Sequence, residues 1–181
     1  AARIAVLLDK LNRERKAVET EMLEQAMAEA DAKVTAAPDL PLIIVGSPAW
    51  HKGVVGLVSS RLTERFARPS CVIAWEQESG GQGTGSLRSI GGVDIGGAVR
   101  AAAAAGLLVK GGGHAMAAGL TVMRDRLTDL DAFMSRELAP SAGRARERAG
   151  LELDGALMPS AVTHELIDLL DRAGPYGQGN P

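Results

Sequence analysis

With 181 residues, a hydrophobic fraction of 46% and only 3% aromatics, the chain is long enough for one ordinary domain with appendages, its core built from Ala, Val, Leu and Ile. A formal net charge of −2 excludes a global basic footprint for nucleic acid, so any such contact must be local. The single cysteine, Cys71, excludes an internal disulfide, and no apolar run approaches the ~20 residues that span a bilayer; with no signal peptide visible, these features predict a cytoplasmic protein without a membrane partner.

In chain order, apolar residues at Ile4, Leu7, Leu8, Leu11, Val18, Met22, Leu23, Ala26 and Ala30 follow helical spacing and predict a helix over about 4–32. Pro38 and Pro41 stop it. At ~1.5 Å per residue it is long for a globular helix and suits an arm connecting domains. Leu42 to Val45 reads as a buried strand, Gly53 to Ala67 as an amphipathic helix, and Ser70 to Trp75 as a second strand. Gly80 to Gly85 reads as a glycine-rich turn, returning as a third strand over 85–90 that forms a hairpin with the second. Asp94 is placed to cap a helix running through Ala105. Ala117 to Met123 is a further strand, and Leu127, Leu130, Phe133, Met134 and Leu138 mark a helix after it. Ala139 to Gly150 is polar and basic and reads as a linker or exposed turn. A short strand at Leu151 to Leu153, a helix from Pro159 to Asp171 and turn chemistry from Gly174 to Pro181 complete the chain. The order predicts an α/β fold, a mixed β-sheet with packed helices preceded by a long connecting helix. The domains expected are a connecting helix over 1–37, a substrate-binding domain over 38–140, and a linker with the start of a further truncated domain over 141–181. Neither end looks native: no initiator Met precedes Ala1, and Pro181 follows directly on turn chemistry, which predicts a piece of a longer polypeptide.

Three clusters can carry chemistry. Gly111 to Gly119 joins three successive glycines, His114 and a run of small residues. It reads as a loop whose N–H groups converge on an anion, with a titratable ring beside it, against the bland alternative of a tight turn with a packed histidine. It lacks the Lys-Ser/Thr ending of a P-loop, so ATP is not implied. Trp50 to Gly53 lies between a strand and the helix after it, where open α/β sheets gather ligands. Its bland reading is a solvated loop with Trp50 as a packing anchor. Within Gly83 to Ser89, Ser86 and Arg88 stand two apart and share one strand face, so that a hydroxyl and a guanidinium can hold a terminal phosphate together. The alternative is an exposed polar face. His51, His114 and His164 lack metal-ligand spacing, His164 reads as solvated, and one cysteine cannot build a structural zinc site.

Trp50 to Gly56, Gly85 to Ile90 and Gly112 to Gly119, in this order, resemble the DHH-associated domain of the DHH phosphoesterase superfamily. More narrowly, Leu11 to Arg15 and Gly174 to Pro181 resemble the flanking stretches of the RecJ family of single-strand-specific 5′→3′ exonucleases, the second entering an OB-fold. The resemblance implies a chain that positions single-stranded DNA for a catalytic DHH domain of the same polypeptide, in DNA repair and recombination. That domain would hold two divalent ions, Mn²⁺ or Mg²⁺, with none bound here. It implies that His114 stabilises charge at the scissile phosphate. Ser86 and Arg88, with the neighbouring Ser89, Gly112 and Gly113, would hold the strand and its 5′-terminal phosphate. Arg15 would contribute to the same pocket, and His51 would lie at the cleft. The metal ligands of the DHH domain are not in this chain, so the chain by itself is expected to bind rather than cleave. Two other readings stand beside this one. One is a different DHH phosphoesterase, acting on oligoribonucleotides or cyclic dinucleotides. The other is a non-catalytic nucleic-acid-binding module.

Overall fold

The computed structural model describes residues 2–76, 81–148 and 155–176. The chain divides into two units, residues 1–148 and 149–181.

The first unit holds α1 (Ala2–Ala36), β1 (Ile43–Ser47), α2 (Val55–Phe66), β2 (Ser70–Trp75), β3 (Gln82–Arg88), α3 (Ile95–Ala104), β4 (Lys110–His114), β5 (Ala117–Met123) and α4 (Leu127–Glu147). The strands form one sheet in the order β1-β2-β3-β5-β4. β1 and β2 run parallel, and the other neighbours are antiparallel. The expected mixed α/β architecture is what forms, including the β2–β3 pair and the long leading helix. α1 extends past the expected bounds because nothing in its sequence breaks a helix before Pro38.

Each sheet face has its own core. On one, Met22, Ala26 and Ala30 of α1 and Val55, Val58 and Leu62 of α2 cover Ile43, Val45 and Val72 of β1 and β2. On the other, Val99 and Ala102 of α3 and Leu130, Met134 and Leu138 of α4 cover Cys71, Ile73, Leu87, Leu120 and Val122. Helices therefore blanket the second face from β2 to β5. On the first face their core residues lie over β1 and β2 only.

Three expectations are corrected. Gly83 and Gly85 belong to β3 and not to a turn. A Cβ on Gly83 would lie 2.5 Å from the Trp75 ring, so glycine is there to admit the indole. The Gly111 run is likewise a strand, β4, and not a loop of converging N–H groups. Only Ala115 and Met116 lie between β4 and β5. Finally, the expected linker after Ala139 is helical as far as Glu147, with Pro140 inside the helix. Ala142 is buried there, and Arg146 donates hydrogen bonds to the carbonyls of Asp39 and Leu40 at 3.2 and 3.1 Å.

In the second unit the expected single helix from Pro159 is a short 3-10 turn (Pro159–Ala161) followed by α5 (His164–Ala173). Thr163 is extended and caps α5, its hydroxyl accepting from Leu166 N–H at 3.2 Å, which separates the two pieces. His164 opens α5 and is exposed. The strand expected at Leu151 to Leu153 and the tail beyond Tyr176 lie outside the described residues. Among the described residues, no helix is long and apolar enough to cross a membrane.

Candidate functional site

Paired residues of an antiparallel ladder share a sheet face, so the register lays out the open face row by row. Arg88 of β3 pairs with Ala117 of β5, and Ala117 pairs with His114 of β4. The next row is Ser86, Gly119, Gly112, and beyond it Thr84, Thr121, Lys110. The result is a floor of Ala117, Gly119 and Gly112 between a rim on β3 and a rim on β4. Neighbouring strands lie ~4.8 Å apart, which sets the rims about 10 Å from each other.

The β3 rim is preorganised. Arg88 Nη1 donates to Ser86 Oγ at 3.1 Å and to the Leu87 carbonyl at 2.9 Å. The first turn of α2 lies directly over the pair: a Cβ on Gly56 would be 3.2 Å from both Arg88 Nη2 and Ser86 Oγ. α2 is fixed there by a buried hydroxyl cluster. Ser59 Oγ lies 2.9 Å and Thr63 Oγ1 2.8 Å from Ser70 Oγ on β2, and Ser70 Oγ donates to the Ser59 carbonyl at 2.7 Å. No side chain caps α2, and with Leu57 and Val58 N–H both donating to the Val54 carbonyl, the Val55 and Gly56 N–H groups are the ones left open at the start of the helix. A guanidinium, a hydroxyl and an uncapped helix N-terminus together suit a terminal phosphate.

The β4 rim is gripped from the opposite side by α3. A Cβ on Gly96 would meet the His114 backbone at 2.7–2.8 Å, so the helix packs onto it without an intervening side chain. Ile95 N–H donates to the Ala115 carbonyl at 3.1 Å, and Arg100 Nη1 donates to the Gly113 carbonyl at 2.8 Å. Asp94 caps α3 through Gly97 N–H at 2.8 Å and lies 3.8 Å from Arg100 Nη2. The His114 ring is exposed and has no hydrogen-bond partner among the described residues.

The register thus brings His114, Gly112, Ser86 and Arg88 onto one face. Gly113 faces the other way, where a side chain would strike the Ala117 carbonyl and the Ala118 Cα. Ser89 is 6% exposed, and its hydroxyl donates to the Val93 carbonyl at 2.7 Å while its N–H donates to the Met116 carbonyl at 3.0 Å. It braces the β4–β5 turn. Arg15 and His51 meet elsewhere, lining a cavity of about 410 Å³ with Leu11 and Val18. Arg15 is paired with Glu19 at 2.6 Å, and His51 Nδ1 accepts from Gly53 N–H at 3.1 Å. Trp50 anchors that loop, its Nε1 donating to Gln25 Oε1 at 2.8 Å. Sequence pattern alone does not single out Gly56, Arg100 or Lys110 as site residues. Only the long-range pairing places Lys110 beside the groove.

Among the described residues, no group of three or more His, Cys, Asp or Glu is arranged to hold a metal ion. The groove offers cations, hydroxyls and an imidazole, which is a donor set for an anion and not for a divalent cation.

The sequence pattern of the family described as DHHA1 domain matches residues 39–139. Over its whole length the chain is 37% identical to the single-stranded-DNA-specific exonuclease RecJ of Dickeya dadantii (strain 3937), covering 32% of that protein. Across 96% of its length it is 35% identical to the Escherichia coli (strain K12) protein of the same name, covering 30% of it. The crystal structure of RecJ in complex with Mn²⁺ from Thermus thermophilus superposes with a TM-score of 0.70 at 28% identity, over 96% of this chain and 24% of that one. The chain spans about a third of the length of the curated relatives it matches. The matched residues include the sheet, the α2 N-terminus and both rims of the groove, and on that ground the chain belongs to the DHHA1 domain family and is RecJ-like over its whole length.

Proposed function

We propose that this chain is the substrate-positioning part of a RecJ-type 5′→3′ single-stranded-DNA exonuclease. The observation that carries the reading is the Arg88–Ser86 pair beneath the α2 N-terminus, one small residue across the sheet from His114. Arg88, Ser86 and the leading N–H groups of α2 hold a 5′-terminal phosphate. His114 donates to the scissile phosphate from the other rim and stabilises the negative charge that grows on it during hydrolysis. Arg15, which lines one cavity with His51, contributes to holding the same end of the strand, and His51 faces the cleft. The divalent ions that support hydrolysis belong to a DHH domain elsewhere in the polypeptide, because the donors described here do not suit them. The arrangement of three regions over 1–37, 38–140 and 141–181 is part of the same proposal.

The test uses the full-length protein carrying this chain, with Mn²⁺ and matched oligodeoxynucleotides bearing either a 5′-phosphate or a 5′-hydroxyl. The wild type is expected to prefer the 5′-phosphate, and Arg88→Ala to lose about tenfold or more of that preference. Undiminished preference in Arg88→Ala removes the residue from the pocket.

A further inference from the structure

Beyond Ser86 the groove does not end. The row Thr84–Thr121–Lys110 opens a separate cavity of about 400 Å³, floored by Gly112 and Gly119 and lined by no acidic side chain. Two features of it have no structural use. Thr121 lines the cavity, and its hydroxyl, open to solvent there, has no hydrogen-bond partner among the described residues. It alternates with Leu120 and Val122, which enter the core on the other face, so Thr121 points to the cavity side. Lys110 is exposed and makes no ion pair among the described residues. The floor is also unoccupied by structure: a Cβ on Gly112 would meet nothing within 4 Å, and one on Gly119 only the Gly85 carbonyl at 3.8 Å. The absence of side chains at those two positions is therefore not demanded by packing.

We infer that this cavity is a further nucleotide subsite, taking the phosphodiester and sugar of a nucleotide downstream of the scissile bond. The inference rests on the reading that Ser86 and Arg88 take the 5′-terminal phosphate. Lys110 supplies the point charge for the phosphodiester, and the Thr84 and Thr121 hydroxyls donate to its oxygens. Gly112 and Gly119 let the sugar lie against the sheet backbone. Four residues along a strand span about 13 Å, so Lys110 lies well beyond His114 on the same rim and reaches a later phosphate than the one being cleaved. No Asn or Gln lines the cavity, so the subsite holds the strand without reading a base.

The experiment compares a 5′-phosphorylated deoxythymidine dinucleotide with a decanucleotide, both degraded by the full-length protein carrying this chain. Lys110→Gln is expected to raise KM for the decanucleotide about tenfold, the scale of one charge-assisted contact, and to reduce the salt slope of log(kcat/KM) by about 0.7. On the dinucleotide, which is too short to reach the cavity, the effect is expected to stay below about twofold. An equal effect on both lengths, or none on either, overturns the subsite while the wild type still prefers a 5′-phosphate. A wild type without that preference overturns the underlying reading instead, and the subsite falls with it.

Discussion

Arg88 and His114 share a single register partner: Ala117 of β5 pairs with Arg88 on one side and with His114 on the other. A guanidinium and an imidazole thus face one groove from opposite rims, with one methyl group between them. The separation is set by backbone pairing and not by either side chain, so it is stiff.

The first prediction concerns that intervening residue. Ala117 is half-buried at the groove floor, and a larger chain there rises between the rims without entering either core. Ala117→Leu is expected to keep thermal stability within about 0.5 kcal/mol of wild type. In the full-length protein it is expected to lower kcat/KM at least about tenfold, or ~1.4 kcal/mol. Denaturation curves and steady-state kinetics on the same preparation check both halves.

Adjacent glycines of β4 are expected to respond in opposite ways. Gly113 has φ +157°, and a Cβ there meets the Ala118 Cα at 2.5 Å, so Gly113→Ala forces β4 away from β5. A loss of about 2–3 kcal/mol is expected by chemical denaturation. Gly112→Ala points into open groove and is expected to stay within about 0.5 kcal/mol. Equal costs at the two positions would contradict the register described for this strand.

Arg100 holds the Gly113 carbonyl at 2.8 Å while leaning on Asp94, and through Gly113 it sets where His114 begins. It is a positioning residue. Its side chain is 56% exposed, so Arg100→Ala is expected to cost no more than about 1 kcal/mol of stability. Its effect belongs in kcat, falling about ten- to a hundredfold with KM little changed, because the imidazole is displaced and not removed. The His114 ring resonances in NMR spectra are expected to broaden or shift, and Arg100→Lys to recover only part of the loss, since an ammonium cannot serve carbonyl and carboxylate as a fork does. An unchanged kcat with a raised KM would assign Arg100 to binding instead.

Cys71 is fully buried in β2, and burial, reinforced by the charge of Asp131, pushes its thiol well above the ordinary range. The unfolded chain releases this proton near pH 8.5 while the folded one retains it. Above that pH the unfolded state binds fewer protons, so stability falls as pH rises, by at most about 1.4 kcal/mol per pH unit. Cys71→Ala is expected to flatten the stability profile between pH 8.5 and 10, and native wild-type protein to react with thiol reagents only on unfolding. Fast native labelling would contradict the burial.

Ser86 and Arg88 were legible in the sequence because a strand's period of two is visible wherever side chains alternate, and β3 alternates cleanly despite its glycines. His114 was legible as chemistry but not as geometry. A glycine run carries no side-chain period, so β4 looked like a loop, and only its pairing with β5 reveals that Lys110, Gly112 and His114 share a face. The end of α4 was hidden for a different reason. Pro140 and three arginines imitate a linker, and the apolar stripe that continues through Ala142 and Ala145 is built from the smallest hydrophobic side chain available.

That overlooked helical end yields the last prediction. Arg146 is on the final turns of α4, its side chain only 26% exposed, and its guanidinium donates to the Asp39 carbonyl from both terminal nitrogens and to the Leu40 carbonyl from one. Arg68 donates to the same Leu40 carbonyl at 2.9 Å, so two guanidinium groups converge on the turn that leads from α1 into β1. The hydrogen bonds to backbone carbonyls carry the contact. Asp39 itself is fully exposed and lies 3.6 Å from Arg146 Nη2. Arg146→Ala is therefore expected to cost about 1–2 kcal/mol and to speed amide exchange in residues 143–147, whereas Asp39→Asn is expected to change neither noticeably. Arg146→Lys should restore only part of the protection, because an ammonium cannot span two successive carbonyls as the planar fork does. If Asp39→Asn proved as damaging as Arg146→Ala, the exposed ion pair and not the carbonyl contacts would be holding the end of α4.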